Sequence, residues 1–157
     1  MKKIIIFTST RADYGLLRNL IEKISSNKNF DVRLLVTGTH LSEKYGSTKE
    51  EIYSDGFKNN VDQILISNID QQNSPEVTGI CIQKYSTYLK SKKYNLAIIL
   101  GDRFEAFAMA TACFLNNIDI AHIHGGEKTE GAIDNKLRHC ITLMSKFHFT
   151  SHKRHLS

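Results

Sequence analysis

Apolar runs and helix-period segments take turns along the whole chain, and that alternation constrains the fold more than any other feature. "KKIIIF" at residues 2–7 is a continuous apolar run, as carried by a strand buried on both faces. In the next segment, 13–25, Leu16, Leu17, Leu20, Ile21 and Ile24 recur at spacings of three and four, with Asp13 as the expected N-cap. A second strand is expected at 30–38, a short helix opened by a Ser/Thr cap and closed by Gly56 at 47–57, and a third strand at 61–67. Pro75, the only proline, suits the first turn of a helix running to about Lys90. Strands at 96–101, 118–124 and 147–151 then alternate with helices at 104–116 and 133–146. A β-α-β succession with short connections specifies an α/β fold: a doubly wound, mostly parallel sheet with helices on both faces.

Composition narrows the class further. The chain has 157 residues, enough for one domain, with 41% hydrophobic and 24% charged residues, ordinary for a globular protein. No run of about eighteen apolar residues suggests a membrane span, and the opening "MKKIIIFTST" is too short in apolar length for a signal peptide. The three cysteines, Cys81, Cys113 and Cys140, are far apart and fall in helical segments, which fits buried, reduced thiols of a cytoplasmic protein. The net charge of +5 is scattered except for the terminal "SHKRHLS", so a nucleic-acid partner is not expected.

In a doubly wound sheet, ligands sit where strands deliver their carboxyl ends. The three relevant joints are "TSTRADYG", "GDRFE" and "HIHGGEKTEGAID". The first lacks the G-x-G-x-x-G pattern, which argues against a nicotinamide or flavin. A helix N-terminus flanked by Arg11 can still hold a phosphate, because unpaired amides and the helix dipole both favour an anion; a surface ion pair is the plainer role for Arg11. Asp102 either caps the next helix or does chemistry, and Arg103 beside it supplies a counter-charge. His122 and His124 alternate along one strand and are expected to share a face, where Asp102, Glu127 or His139 would complete a metal set. No Cys-x-x-Cys or His-Glu-x-x-His accompanies them. Gly125 and Gly126 permit close backbone approach, and Glu127, Glu130 and Asp134 crowd acids at the same rim, where neighbouring carboxylates can divide into acid and base. A solvated acidic loop with Asp134 as a helix cap is the alternative.

"TSTRADYGLL" and residues 101–149, from "GDRFEAFAMATACFLNNIDIAHIHGGEKTEGAIDNKLRHC" to "FHF", closely resemble the hydrolysing UDP-N-acetylglucosamine 2-epimerases of sialic acid biosynthesis. The resemblance spans essentially the whole chain. It implies a Rossmann-like N-terminal half of a GT-B fold over residues 1–157, facing a C-terminal UDP-binding domain that this sequence does not contain. It also implies a UDP-sugar substrate and a reaction without metal or other cofactor: UDP is eliminated to give a 2-acetamidoglucal, and water adds to give N-acetylmannosamine.

By the same resemblance Asp102 and Asp134 match catalytic carboxylates, and Arg11, Gly15 and Arg103 match nucleotide contacts. Where many relatives carry a glutamate two residues after the strand's first histidine, this sequence has His124. Proton transfer then falls to His124, a residue type that titrates near neutrality, or to Glu127. Relatives with this motif include hydrolases of a UDP-linked 2,4-diacetamido-2,4,6-trideoxy sugar in legionaminic acid synthesis. A non-catalytic nucleotide-sugar binding module is the alternative from another class. The apolar segment 104–116 is read as core, with contact in a homodimer as its second reading.

Overall fold

The computed structural model describes residues 1–67, 75–126 and 133–152. Its sheet has six parallel strands in the order β3-β2-β1-β4-β5-β6. These are β1 (Lys2–Thr8), β2 (Phe30–Val36), β3 (Val61–Gln63), β4 (Leu96–Leu100), β5 (Asp119–Ile123) and β6 (Phe147–Phe149), and the helices are α1 (Arg11–Ser25), α2 (Lys49–Ile52), α3 (Pro75–Lys90), α4 (Phe104–Leu115) and α5 (Asp134–Met144).

The period of two along β1 divides the interior into two cores. Ile5 and Phe7 face α3, α4 and α5, packing with Cys81, Tyr85, Met109 and Ile141. Ile4 and Ile6 face α1 and α2, packing with Tyr14, Leu17, Ile21 and Ile52. Ile5 and Ile6 are both fully buried, each contributing roughly 1.5–3 kcal/mol. The apolar run at residues 4–7 therefore has no polar alternation because neither face of the strand meets water.

Several local expectations need correction. The helix α1 begins three residues earlier than a cap at Asp13 implies: Thr10 is the N-cap, and Asp13 is the third helical residue of a reciprocal capping box. Strand β2 stops at Val36, because Gly38 turns the backbone left-handed (φ +61°). Strand β3 pairs over only Val61–Gln63 and β5 over Asp119–Ile123. The segment at 47–57 winds as the short α2 followed by a wide turn, ended by Gly56 at φ +90°; Thr48 precedes α2 without a side-chain cap. Cys81 and Cys113 are buried, but Cys140 lies on the outer side of α5 and is exposed. In α4, Ala106, Ala108, Met109 and Cys113 are core, whereas Phe114 and Leu115 are exposed at its end. No helix among the described residues is long and apolar enough to cross a membrane.

Register brings the functional joints to one rim. Ile6 pairs with Ile98, and Leu100 pairs with Ile123, so β1, β4 and β5, adjacent in the sheet, finish at nearly the same level.

Candidate functional site

The loop after β1 is built around Asp13. Its carboxylate accepts from the Thr10 amide (3.0 Å), the Ser9 amide (3.3 Å) and the Ser9 hydroxyl (3.0 Å), while Thr10 Oγ1 accepts from the Asp13 amide (3.2 Å). The amides of Ser9 and Thr10 are thus already satisfied internally, so this end of α1 is less open to an anion than its sequence suggests. Arg11 is largely exposed and donates from Nε to Glu51 Oε2 at 2.9 Å. One turn on, Gly15 faces outward, with open space where a Cβ would stand.

Behind this loop lies His40, fully buried, with Thr8 Oγ1 2.9 Å from Nε2 and Thr48 Oγ1 2.7 Å from Nδ1. Burial drives its pKa down to about 4, against the weaker upward pull of Asp13 and Glu51. His40 therefore joins the end of β1 to the start of α2 as a neutral ring.

At the end of β4 the charges pair differently from their order in sequence. Arg103 does not neutralise its neighbour Asp102; it forks onto Glu105, with Nε 3.2 Å from Oε2 and Nη2 3.1 Å from Oε1. Glu105 has no exposed side-chain surface. Burial opposes the Arg103 charge, but the Glu105 pair and the carboxylates of Asp13 and Asp134 outweigh it and hold the guanidinium above the ordinary arginine range. Asp102 instead receives Arg138 Nη2 from α5, and both side chains are mostly buried. Asp102 does not cap α4, whose N-cap is Arg103 without a side-chain bond. Asp134, the first residue of α5 rather than its cap, stands one helical turn before Arg138.

The two histidines of β5 part company. His122 is fully buried toward α5, with Nε2 2.7 Å from the Gly101 carbonyl and Nδ1 3.1 Å from Thr142 Oγ1. Because a carbonyl only accepts, Nε2 carries the proton and Nδ1 accepts from the threonine hydroxyl. Burial keeps the ring's pKa below its usual value, so both nitrogens of a neutral imidazole are committed. His124 lies just past the strand with a left-handed backbone (φ +62°), its amide donating to the Phe149 carbonyl at 2.8 Å. It lines an apolar groove of about 800 Å³ beside α1, with Leu16, Leu100, Ile123 and Phe149. The expectation of one shared face fails because the left-handed residue interrupts the two-residue period. The metal set loses His122 because both its ring nitrogens are held by Gly101 and Thr142, and no cluster of three or more metal-ligating side chains occurs among the described residues. Glu127 and Glu130 lie outside the described residues.

The fold thus gathers Asp102, Arg103, Asp134 and Arg138 at one rim, with the β1–α1 loop alongside, while Arg11 turns toward α2 and His124 toward the groove. Arg138 and Thr142 were not singled out in the sequence. The signal was present: Arg138 follows Asp134 by four residues and lies between the inward-facing Leu137 and Ile141, an unusual place for an arginine without a buried partner.

The family profile described as UDP-N-acetylglucosamine 2-epimerase matches residues 22–156. The chain belongs to that family. Among curated 2-epimerase relatives, "GDP/UDP-N,N'-diacetylbacillosamine 2-epimerase (hydrolyzing)" of Campylobacter jejuni is 37% identical over 152 residues, covering 97% of this chain and 40% of that protein. "Polysialic acid biosynthesis protein P7" of Escherichia coli is 36% identical over 154 residues, covering 96% of this chain and 39% of that protein. The crystal structure of UDP-GlcNAc 2-epimerase from Neisseria meningitidis bound to UDP-GlcNAc superposes with a TM-score of 0.82 at 19% identity, over 99% of this chain and 42% of that one. The doubly wound sheet is therefore the Rossmann-like N-domain of the 2-epimerase fold. The chain spans about two fifths of the length of these curated relatives.

Proposed function

We propose that this chain is the N-terminal half-site of a hydrolysing UDP-sugar 2-epimerase, completed by a C-terminal domain that supplies much of the UDP pocket and a further catalytic histidine. The observation that carries this reading is the Asp102 carboxylate fixed by Arg138 at the end of β4, with Arg103 and Asp134 beside it. A carboxylate base removes the C2 proton of the sugar. The C2–H electron pair becomes the C1=C2 double bond, and the C1–O bond breaks with its electrons leaving on the β-phosphate of UDP. Water then adds to the glycal, hydroxyl to C1 and proton to C2 on the opposite face, inverting C2.

Asp102 and Asp134 are the carboxylates proposed for proton transfer, with His124 or Glu127 serving the second proton step. Arg11 and Arg103 stabilise the departing diphosphate, and Gly15 leaves room for it against α1. Of the two sugars that fit the family, the 2,4-diacetamido-2,4,6-trideoxy sugar has the better support. N,N'-diacetylbacillosamine, in the name of the 37%-identical Campylobacter relative, is such a sugar. UDP-N-acetylglucosamine, giving N-acetylmannosamine for sialic acid, is the second reading, favoured by the polysialic acid name of the Escherichia relative.

The test mixes the chain with the C-terminal half of a close relative and measures UDP release from each sugar nucleotide. Faster release from the diacetamido substrate is expected. The reverse order moves the assignment to UDP-N-acetylglucosamine. Tight UDP binding without turnover on either would make the chain a binding module.

A further inference from the structure

Three groups next to the proposed site reach His122 from different elements. The Gly101 carbonyl accepts from Nε2, and the Gly101 amide donates to the carbonyl of Ile123, the next residue of β5, at 3.0 Å. The Gly101 carbonyl belongs to the same rigid peptide plane as the Asp102 amide, so fixing that oxygen fixes the direction in which Asp102 leaves the turn. That turn has little else to define it: Gly101 is left-handed at φ +80°, with nothing within 4 Å of a Cβ position. On the other side, Thr142 donates to Nδ1 from α5, one helical turn after Arg138 and therefore on the same helix face. The ring spans the gap between the two residues that must meet.

The third group is the backbone after β5. A Cβ on Gly125 would stand 2.9 Å from His122 Nδ1 and 3.1 Å from Thr142 Oγ1. Glycine at this position lets the backbone just past His124 pass directly over the imidazole–hydroxyl contact.

We propose that His122 is a positioning residue: its imidazole sets the separation of the β4–α4 turn and α5, and thereby the geometry of the Asp102–Arg138 pair. It touches neither substrate nor reacting atoms. Its kinetic consequence rests on the 2-epimerase reading above, whereas its effect on the pair does not.

Two substitutions divide the ring's contacts. His122→Gln places an amide near the Nε2 position and keeps a donor for Gly101, and His122→Asn places one near Nδ1 and abandons Gly101. Thr142→Val removes the hydroxyl at constant shape, which keeps the test decisive should the Asn variant not fold. The first measurement follows the Arg138 guanidinium N–H signals by NMR in the 157-residue chain. Their loss or averaging is expected in His122→Asn and Thr142→Val, with amide dispersion retained, and a smaller change in His122→Gln. Unchanged Arg138 signals in the folded variants would overturn the proposal. The second measurement uses the chain complemented with a C-terminal half, where kcat should fall roughly a hundredfold in His122→Asn with KM within about twofold. A rise in KM at constant kcat would also overturn it. If the unsubstituted complex turns over no sugar nucleotide, the functional reading falls, and the NMR result alone decides the role of His122.

Discussion

Asp102 accepts a hydrogen bond from Arg138, thirty-six residues further along the chain, and this pair joins the end of β4 to the second turn of α5. Asp102→Asn separates charge from shape at this point. The amide oxygen still accepts from the guanidinium, so the denaturant midpoint should move little. Release of UDP by the complemented enzyme should fall by at least about a hundredfold, because the proposed base is gone. Arg138→Ala acts on stability as well, leaving a mostly buried carboxylate unpaired at a cost of about 1–3 kcal/mol. An Asp102→Asn enzyme with undiminished turnover would remove this carboxylate from the mechanism.

Arg11 presents the opposite balance. Its side chain is 72% exposed in the pair with Glu51, and exposed pairs contribute about 0–1 kcal/mol. Arg11→Ala should therefore leave thermal unfolding within a degree or two of the unsubstituted protein. UDP-sugar affinity should drop several-fold if Arg11 swings from Glu51 onto the diphosphate. Calorimetric titration of the complemented protein reads this directly, and unchanged affinity would assign Arg11 a surface role only.

The sheet was legible because a strand buried on both faces shows as a continuous apolar run such as residues 4–7, and because each of the first five strands was followed by a segment read as helical. The rim was legible too: topology alone sends Asp102, Arg103 and Asp134 to adjacent strand ends. What sequence order hid was partnership. Arg103 looks like the counter-charge of Asp102, yet it turns to Glu105, and Asp102 finds Arg138 only once β5 and α5 have packed. His122 and His124 look equivalent until one left-handed residue sends them to opposite faces. The Asp102–Arg138 pair, thirty-six residues apart, is set by tertiary geometry, whereas the Arg103–Glu105 fork spans only two residues and shows in the sequence only as one of two possible carboxylate partners.

Gly38 tests how tightly the loops after β1 and β2 are pressed together. It combines φ +61° with a Cβ position 2.7 Å from the Ser9 carbonyl oxygen, which is backbone and cannot swing aside. Gly38→Ala should destabilise the chain by roughly 1–3 kcal/mol, the range for a strained backbone conformation, and should displace Ser9 and the Asp13 cap behind it. Urea unfolding measures the first effect. A stability change below about half a kcal/mol would mean that this contact relaxes freely.

His40 gives the chain a pH dependence whose sign follows from its burial. The ring is neutral in the folded protein because burial lowers its pKa to about 4 from an ordinary value of 6.5. Above pH 6.5 neither folded nor unfolded chain holds the proton, and the contribution to stability is complete. Between that pH and about 4 the unfolded chain binds a proton that the folded chain refuses, so stability falls as the medium is acidified. Over the interval from pH 7 to pH 5 the loss amounts to about 2 kcal/mol, at 1.36 kcal/mol per pH unit. His122, also held below its usual value by burial, adds a loss of the same sign. Urea midpoints across this interval should therefore decline steadily, and His40→Gln should flatten the slope while lowering stability at pH 7, because only one of the contacts to Thr8 and Thr48 can be replaced by the amide. Equal slopes with and without His40 would show that the ring takes up its proton in place.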